Sequence, residues 1–374
     1  MRILQIAKFP EDFGGGIETA VFNLSKYVAK TNKVVVVTSN VNRKHKQIKY
    51  KNFICYSLPT WFILFSTPIT PSLIPYLIKH GSEFDVIQIS LPNPMAVIAY
   101  LIAKPKGKLI VWYHSDVVRP FILSTLFMPL LLNMLKKASV IVAASNNYIR
   151  TSPLLKKFYN KTIVIPYGIN LENFTVKEGK YELTKLRELF GAPLVLFIGR
   201  LVYYKGLTYL IKSMKALDAK LVIIGRGPLE NRLKALVKKN ELTKRIFFQK
   251  VPSNDQIAKY IHACDAVVLP SIHRSEAFGI VLLEAMACGK PVITTELGTG
   301  TSFVCQDGVT GLVVPPKDSL GLKNAINKVL HNPELAKKLG ETGRKRVEEH
   351  FTIENVGEAF LRLYTSVTTV SFMR

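Results

Sequence analysis

Short apolar runs alternate along the chain with longer segments of helical periodicity. In the first half the pattern predicts strands at Ile3–Ala7, Val34–Thr38, Val86–Ile89, Leu109–Trp112, Val140–Ala143 and Thr162–Ile165. Helical patterns lie around 16–30, 94–103 and 120–137. The second half predicts strands at Leu194–Ile198, Lys220–Ile224, Ile246–Phe248, Ala266–Leu269, Pro291–Thr294 and Leu312–Val314. Helices are expected near 206–217, 228–239, 253–262, 279–287 and 318–331, and two long helical patterns, 333–350 and 353–366, close the chain. Alternating strands and helices imply right-handed crossovers and parallel sheets. Two such series imply an α/β protein with two Rossmann-like domains, 1–170 and 171–352. The polar stretch Tyr167–Pro193, with Gly168, Gly179 and Gly191, is the expected linker.

Two apolar stretches invite a transmembrane reading. Asn52–Ile78 carries no charge but contains Pro59, Pro68, Pro71 and Pro75, and Phe121–Leu135 is short and contains Pro129. A spanning helix needs about 20 apolar residues, so neither is expected to span. The N-terminal MRILQIAKFP has a short, strand-like apolar run and no cleavable signal pattern. Cys55, Cys264, Cys288 and Cys305 have no metal-ligand or CxxC spacing and read as reduced intracellular thiols.

Charge changes the picture. The chain has 51 Lys and Arg against 26 Asp and Glu, a net of +25. Residues 1–170 hold 21 basic and 6 acidic residues, a net of +15, and residues 171–374 hold 30 and 20, a net of +10. Such a balance suits an anionic partner: a nucleic acid, a nucleotide or an acidic membrane, or else a lysine-rich solvated surface.

Candidate chemistry falls just after the predicted strands, where open parallel sheets bind ligands. KFPEDFGGGIETAVFNL places Gly14, Gly15 and Gly16 before a helix, so backbone amides can approach an anion at a helix N-terminus. The pattern is not GxGxxG, which argues against a dinucleotide. FIGRLVYYKGL sets Arg200 and Lys205 after a strand, a forked and a compact cation suited to a diphosphate. IIGRGPLE sets Gly225 and Gly227 after the next strand, and Pro228 is expected to start a helix.

SIHRSEAFGIVLLEAMACG carries Glu276 in a loop and Glu284 inside an apolar helix expected to begin near Phe278. A buried carboxylate without a partner is costly, and that helix holds no Lys or Arg. Carboxylates accept from sugar hydroxyls, while amides near Phe278, Gly279 and Ile280 suit phosphate or ring oxygens. The alternative for Glu284 is an Arg from another element.

Together these motifs resemble the retaining nucleotide-sugar glycosyltransferases of family 4, with the GT-B fold. VIPYGINLENF (164–174), FGIVLLEAMACGKPVI (278–293) and DGVTGLVVPPKD (307–318) extend the resemblance over nearly the whole chain. It implies parallel sheets facing a central cleft, whose closure would exclude water. It also implies a C-terminal helix, 353–374, crossing back to complete the N-terminal, acceptor-side domain. Ile353, Val356, Ala359, Phe360 and Leu363 form the stripe suited to that docking.

By the family's pattern Glu284 holds the ribose hydroxyls and Glu276 the donor-sugar hydroxyls. Arg200 and Lys205 stabilise the departing diphosphate, Gly15 and Gly16 approach the donor phosphates, and His114, in WYHSD, lines the sugar pocket. Gly225, Phe278, Gly279 and Ile280 belong to the nucleotide-sugar site. No metal or other cofactor is expected, since the cations act where negative charge develops and no DxD motif stands out. TELGTGTSFV (295–304) resembles bacterial and archaeal enzymes that use mannose donors.

A GT-B nucleotide-sugar epimerase would share the fold but needs acid–base residues not found. A basic nucleic-acid-binding protein would carry an RRM, KH or helix-turn-helix signature, and none is seen, so no nucleic acid is expected. The expected partners are a nucleotide sugar, a glycan or lipid-linked acceptor and an anionic membrane surface at the cytoplasmic face. The last follows from NRKHKQIKYK, with Lys or Arg at 43, 44, 46, 49 and 51, close to WFILF at 61–65. Otherwise WFILF packs into the core.

Overall fold

The computed structural model describes residues 1–13, 15–42, 44–64, 67–116, 121–175, 180–250 and 254–369. Of the positions named above, Gly14, Arg43, Phe65, Pro120, Gly179, Ser253 and residues 370–374 lie outside these. One unit comprises Met1–Gly168 and Ile353–Arg374, and a second comprises Ile169–Thr352.

The first unit opens with β1 (Arg2–Ile6), α1 (Gly16–Val28), β2 (Lys33–Asn40), β3 (Lys46–Lys49), β4 (Phe53–Pro59), β5 (Phe62–Leu64) and β6 (Thr67–Ile69). It continues with α2 (Leu73–His80), β7 (Val86–Leu91), α3 (Pro94–Ala103), β8 (Lys108–Tyr113), α4 (Phe121–Lys137), β9 (Val140–Ala143), α5 (Asn146–Thr151) and β10 (Thr162–Val164). Its 8-stranded sheet runs β10-β9-β8-β7-β1-β2-β4-β3. Only β3 is antiparallel. β7, VIQISL, is buried at every position. Strands covered on both faces by crossover helices take such continuous apolar runs. Asn93 caps α3 by accepting from the Ala96 amide at 3.2 Å, and Pro94 fits the first helical position.

The second unit contains α6 (Lys180–Phe190), β11 (Leu194–Ile198), α7 (Leu207–Ser213), β12 (Lys220–Ile224), α8 (Glu230–Lys239), β13 (Ile246–Gln249) and α9 (Asn254–Ala263). It continues with β14 (Ala266–Leu269), α10 (Ile280–Ala287), β15 (Val292–Thr295), α11 (Gly300–Val304), β16 (Gly311–Val314), α12 (Ser319–Leu330) and α13 (Pro333–His350). Its 6-stranded sheet is parallel, in the order β13-β12-β11-β14-β15-β16.

Every strand expected from the sequence is present, and β3 to β6 are added. The added strands lie in and beside the uncharged proline-rich stretch. β4 pairs in parallel with β2 from Val34–Phe53 to Asn40–Pro59; Pro59 takes the last position, where a missing amide matters least. β5 and β6 form a separate antiparallel ribbon. The described part of WFILF does not join the core: Trp61 is 63% and Phe62 51% exposed, and Ile63 and Leu64 are exposed as well. The expected linker is corrected too. Within Tyr167–Pro193, α6 is an integral helix of the second unit. Arg187 pairs with Asp265 at 2.8 Å, and Phe190 packs on Phe247 and Tyr260, ring centroids 5.3 and 6.1 Å away. Pro228 precedes α8 in a turn rather than opening it. Among the described residues, no helix is long and apolar enough to cross a membrane. The four cysteines are free and buried.

The last helix, α14 (Ile353–Thr369), belongs to the first unit. It buries Ile353, Val356, Gly357, Phe360, Leu363 and Tyr364. Ala359, expected on this stripe, stays partly exposed, because Gly357 and Tyr364 turn the buried face away from it. Tyr364 donates to Gln88 Oε1 at 2.6 Å and accepts from Gln5 Nε2 at 3.3 Å, tying the helix to β7 and β1. Phe360 meets the Trp112 ring edge-on at 4.9 Å. Removal of a fully buried ring leaves a cavity. Phe360→Ala is expected to destabilise this unit by about 3–5 kcal/mol, read as a lower urea midpoint. An unchanged midpoint would mean that α14 does not close this core.

Candidate active site

In the second sheet β11 leads to β12 on one side, while β14 lies on the other. Parallel neighbours end at one edge, so the loops after β11, β12 and β14 meet where the winding reverses, the favoured place for a ligand in such a sheet. Lys205 follows β11 and Glu276 follows β14. Lys205 Nζ lies 2.6 Å from Glu276 Oε2, and both side chains are nearly buried. Ser271 Oγ donates to the same carboxylate oxygen at 3.0 Å. Thr299 Oγ1 donates to the Glu276 carbonyl at 2.8 Å. Burial pulls the Lys205 pKa down, but the Glu276 carboxylate, with Tyr204 beside it, outweighs this and the net direction is up. Lys205 is therefore a fixed ammonium at neutral pH. Arg200 is exposed and, among the described residues, forms no ion pair.

Glu284 projects from α10, whose buried residues are Leu282, Leu283, Ala285, Met286 and Ala287. Its side chain keeps some solvent access. Among the described residues its carboxylate makes no hydrogen bond and no ion pair. Among the described residues no Arg from another element meets it. Desolvation pushes its pKa up to about 7, against the pull of the nearby Lys205 charge.

Backbone geometry completes this edge. Gly279 caps α10 at φ 84, a left-handed conformation that favours glycine. A Cβ on Gly225 would collide with the Gly199 carbonyl, so only glycine lets the loops after β11 and β12 close together. The helix starts at Ile280, after Phe278. Among the described residues the amides of Gly279 and Ile280 donate to no protein acceptor, which leaves them for a ligand. The Phe278 ring faces away into the core, against Phe303 and Phe351.

The other expected residues belong to the first unit. Gly15 caps α1 and Gly16 is its first residue, with the Glu18 carboxylate beside Gly15. His114 is buried, 2.5 Å from the Tyr167 hydroxyl through Nδ1. Its Nε2 is buried without a hydrogen-bond partner among the described residues. Desolvation pushes the imidazole pKa down to about 3, so it is neutral at physiological pH. Tyr167, Ser271 and Thr299 are supporting residues that the sequence did not single out. Tyr167 lies within the VIPYG motif, the one available signal. Among the described residues no group of His, Cys, Asp or Glu is arranged to hold a metal ion.

Comparison with known proteins gives a consistent picture. The model of the family "Glycosyl transferases group 1" matches residues 184–346, and that of "Glycosyltransferase Family 4" matches residues 14–173. An O-antigen chain mannosyltransferase C of Escherichia coli is 35% identical over 372 residues, covering 98% of this chain and 99% of its own. A D-rhamnosyltransferase, WbpZ of Pseudomonas aeruginosa, is 33% identical over 356 residues, covering 94% and 92%. A sucrose-phosphate synthase structure from Thermosynechococcus elongatus shares the fold with a TM-score of 0.83 at 23% identity, covering 99% of this chain and 100% of that one.

The raised Glu284 pKa has a signed consequence for stability. In the unfolded chain the carboxyl ionises near its ordinary 4.5, but in the folded protein only near 7. Between these values the unfolded state binds fewer protons, so this group lowers stability as pH rises from about 4.5 to 7 and costs a constant amount above that. Glu284→Gln removes the cost. Its stability relative to wild type is expected to improve from pH 5 to pH 8 by on the order of 2 kcal/mol, measured by urea unfolding without ligand. A difference independent of pH would show that the carboxylate is well solvated.

Proposed function

The chain belongs to the family 4-like GT-B glycosyltransferases, and from that premise we propose a retaining hexosyltransferase that takes a nucleotide-diphosphate sugar of the mannose class as donor. Its acceptor is a glycan or lipid-linked chain at the cytoplasmic face of the membrane, and it works without a metal. The observation that carries the reading is the edge formed by Arg200, Lys205, Glu276 and Glu284: a buried ion pair next to one cation and one carboxylate that, among the described residues, make no ion pair of their own.

Each group suits one part of such a donor. Ribose hydroxyls donate to Glu284, which supplies its missing partner. Glu276 accepts from hydroxyls of the transferred sugar. The bond from sugar to diphosphate breaks with positive charge growing on the sugar and negative charge on the leaving oxygens. Lys205 carries three donor hydrogens. One serves Glu276, and the others remain for the diphosphate. Arg200 offers a planar fork to the same group, and the Gly279 and Ile280 amides add neutral donors. Lys205 is fixed before reaction by Glu276, and preorganised charge acts most strongly. The neutral His114 can hydrogen-bond a sugar hydroxyl through Nε2 without adding charge. Two near relatives named for mannosyl and rhamnosyl transfer support a donor of this class and an acceptor built into a surface glycan.

Two outcomes test this. Glu284→Ala should weaken binding of the bare nucleoside diphosphate in calorimetry, while Glu276→Ala should chiefly lower kcat. Equal nucleotide affinity in wild type and Glu284→Ala would refute the ribose role. Turnover should survive EDTA, and neutralising Arg200 or Lys205 should raise the barrier by on the order of 3 kcal/mol, as for loss of a preorganised donor. Activity abolished by EDTA and restored by Mn or Mg would overturn the assignment of these cations.

A further inference from the structure

Between β4 and α2 the chain leaves the main sheet as the β5–β6 hairpin. Trp61, Phe62, Ile63 and Leu64 are exposed by 63, 51, 42 and 43%. Every residue of β5 is exposed, so both faces of that strand meet solvent. Apolar residues scattered singly on a surface need no explanation, but a contiguous run of four marks a contact surface.

The hairpin is held firmly at its base. The Trp61 amide donates to the Ile69 carbonyl at 2.8 Å. The Thr60 and Thr70 hydroxyls lie 3.0 Å apart, and Thr70 Oγ1 donates to Ser39 Oγ at 2.9 Å. These three polar side chains are buried, so the apolar ones are presented on a fixed stem.

Cations stand beside that stem. The Thr60 amide donates to the Asn40 carbonyl at 3.2 Å, and Asn40 Nδ2 donates to the Lys44 carbonyl at 2.6 Å. In the β3–β4 register Lys46 pairs with Ser57, near the end of β4 that leads into the hairpin. Lys44, Lys46 and Lys49 are exposed, and none forms an ion pair among the described residues. From Thr19 to Ser82 the sequence contains no Asp or Glu at all.

An apolar projection open on both faces fits a medium that can surround it, as the interfacial layer of a bilayer does, better than the one-sided groove of a protein. Aromatic residues favour that layer, and exposed lysines outside any ion pair among the described residues select anionic headgroups. We propose that Trp61, Phe62, Ile63 and Leu64, leading into and along β5, insert into the interface of an anionic phospholipid bilayer, with Lys44, Lys46 and Lys49 against the headgroups. The proposal deepens the lipid-linked acceptor reading and takes its purpose from it, although vesicle binding itself requires no sugar transfer.

The test uses the full chain with vesicles of phosphatidylglycerol mixed into phosphatidylcholine, and of phosphatidylcholine alone. Wild type should float with the anionic vesicles at low salt and less so at high salt. The chain has two tryptophans, and Trp112 is buried, so the emission of Trp61 should shift to the blue on binding and the shift should vanish in Trp61→Phe. Changing Lys44, Lys46 and Lys49 to Gln should lower vesicle partitioning about 100-fold, roughly fivefold per lysine near an anionic surface. Trp61→Ser with Phe62→Ser should abolish flotation. Both sets should keep wild-type affinity for a nucleoside diphosphate, which shows that they fold. No flotation of wild type at low salt, or flotation with unchanged emission, would overturn the proposal. So would a wild-type dimer that Trp61→Ser with Phe62→Ser converts to monomer, which would assign the hairpin to a second copy of the chain. Failure of nucleoside diphosphate to bind wild type would instead sink the transferase reading and leave the vesicle result standing.

Discussion

An ammonium and a carboxylate 2.6 Å apart, with little water around them, set the terms for the ligand-binding edge of the second unit. Removing two such charges from water costs several kcal/mol per ion. The pair persists because its geometry is close and Ser271 adds a donor to the carboxylate. Its members follow different strands, β11 and β14, which pair directly through Val195–Ala266 and Leu196–Val267. The ion pair thus locks together two loops that the sheet topology only brings near. Lys205 is committed to Glu276, and its pull on Glu284 does not offset the desolvation that raises the Glu284 pKa to about 7. One cation and one carboxylate are left unsatisfied at the same edge. A ligand with both anionic oxygens and paired hydroxyls satisfies both at once, and this is why the site reads as one for a nucleotide sugar rather than for a simple anion.

The first unit depends on a different polar framework. Tyr364 joins Gln5 and Gln88 across adjacent strands β1 and β7, and Phe360 covers Trp112. The Trp112 ring lies 4.8 Å from that of His114, and Tyr167, which bonds His114 Nδ1, packs against both rings, 5.6 Å from each. A buried imidazole held by packing and one hydrogen bond keeps a single orientation, and its unpartnered Nε2 is the kind of orphan that native interiors rarely leave unused. The C-terminal helix is thereby part of the support of a candidate ligand contact as well as of the core.

The sequence made the parallel-sheet architecture legible because buried strands such as LVLFI and KLVII stand out against polar helices. The loops after those strands were legible because glycines and cations cluster there for backbone and charge reasons that act locally. Long-range facts were not. Nothing near Lys205 announces that it pairs with Glu276, and nothing near Phe278 announces that its ring packs on Phe303 and Phe351. The helix α6 hid in a polar, glycine-flanked stretch because what fixes it is tertiary: Arg187 on Asp265 and Phe190 on Tyr260. β3 is polar and four residues long, β4 lies inside the uncharged proline-rich stretch, β5 and β6 are three residues each, and the exposure of Trp61 to Leu64 could not be read from composition, which suits a core equally well.

The same kind of charge does opposite work in two settings. Lys205 is buried against its partner, so its field is confined and salt screens it little. Lys44, Lys46 and Lys49 lie in solvent without partners, and each acts only within a Debye length, about 8 Å at physiological salt. Charges of the second kind cannot orient a reaction, but added together they raise the local concentration of an anionic surface. The stretch from Thr19 to Ser82 adds no acidic residue of its own to that sum. The exposed lysines of the first unit thus act at short range and only in sum, whereas the four charged groups at the edge of the second sheet act at fixed places along one sheet edge.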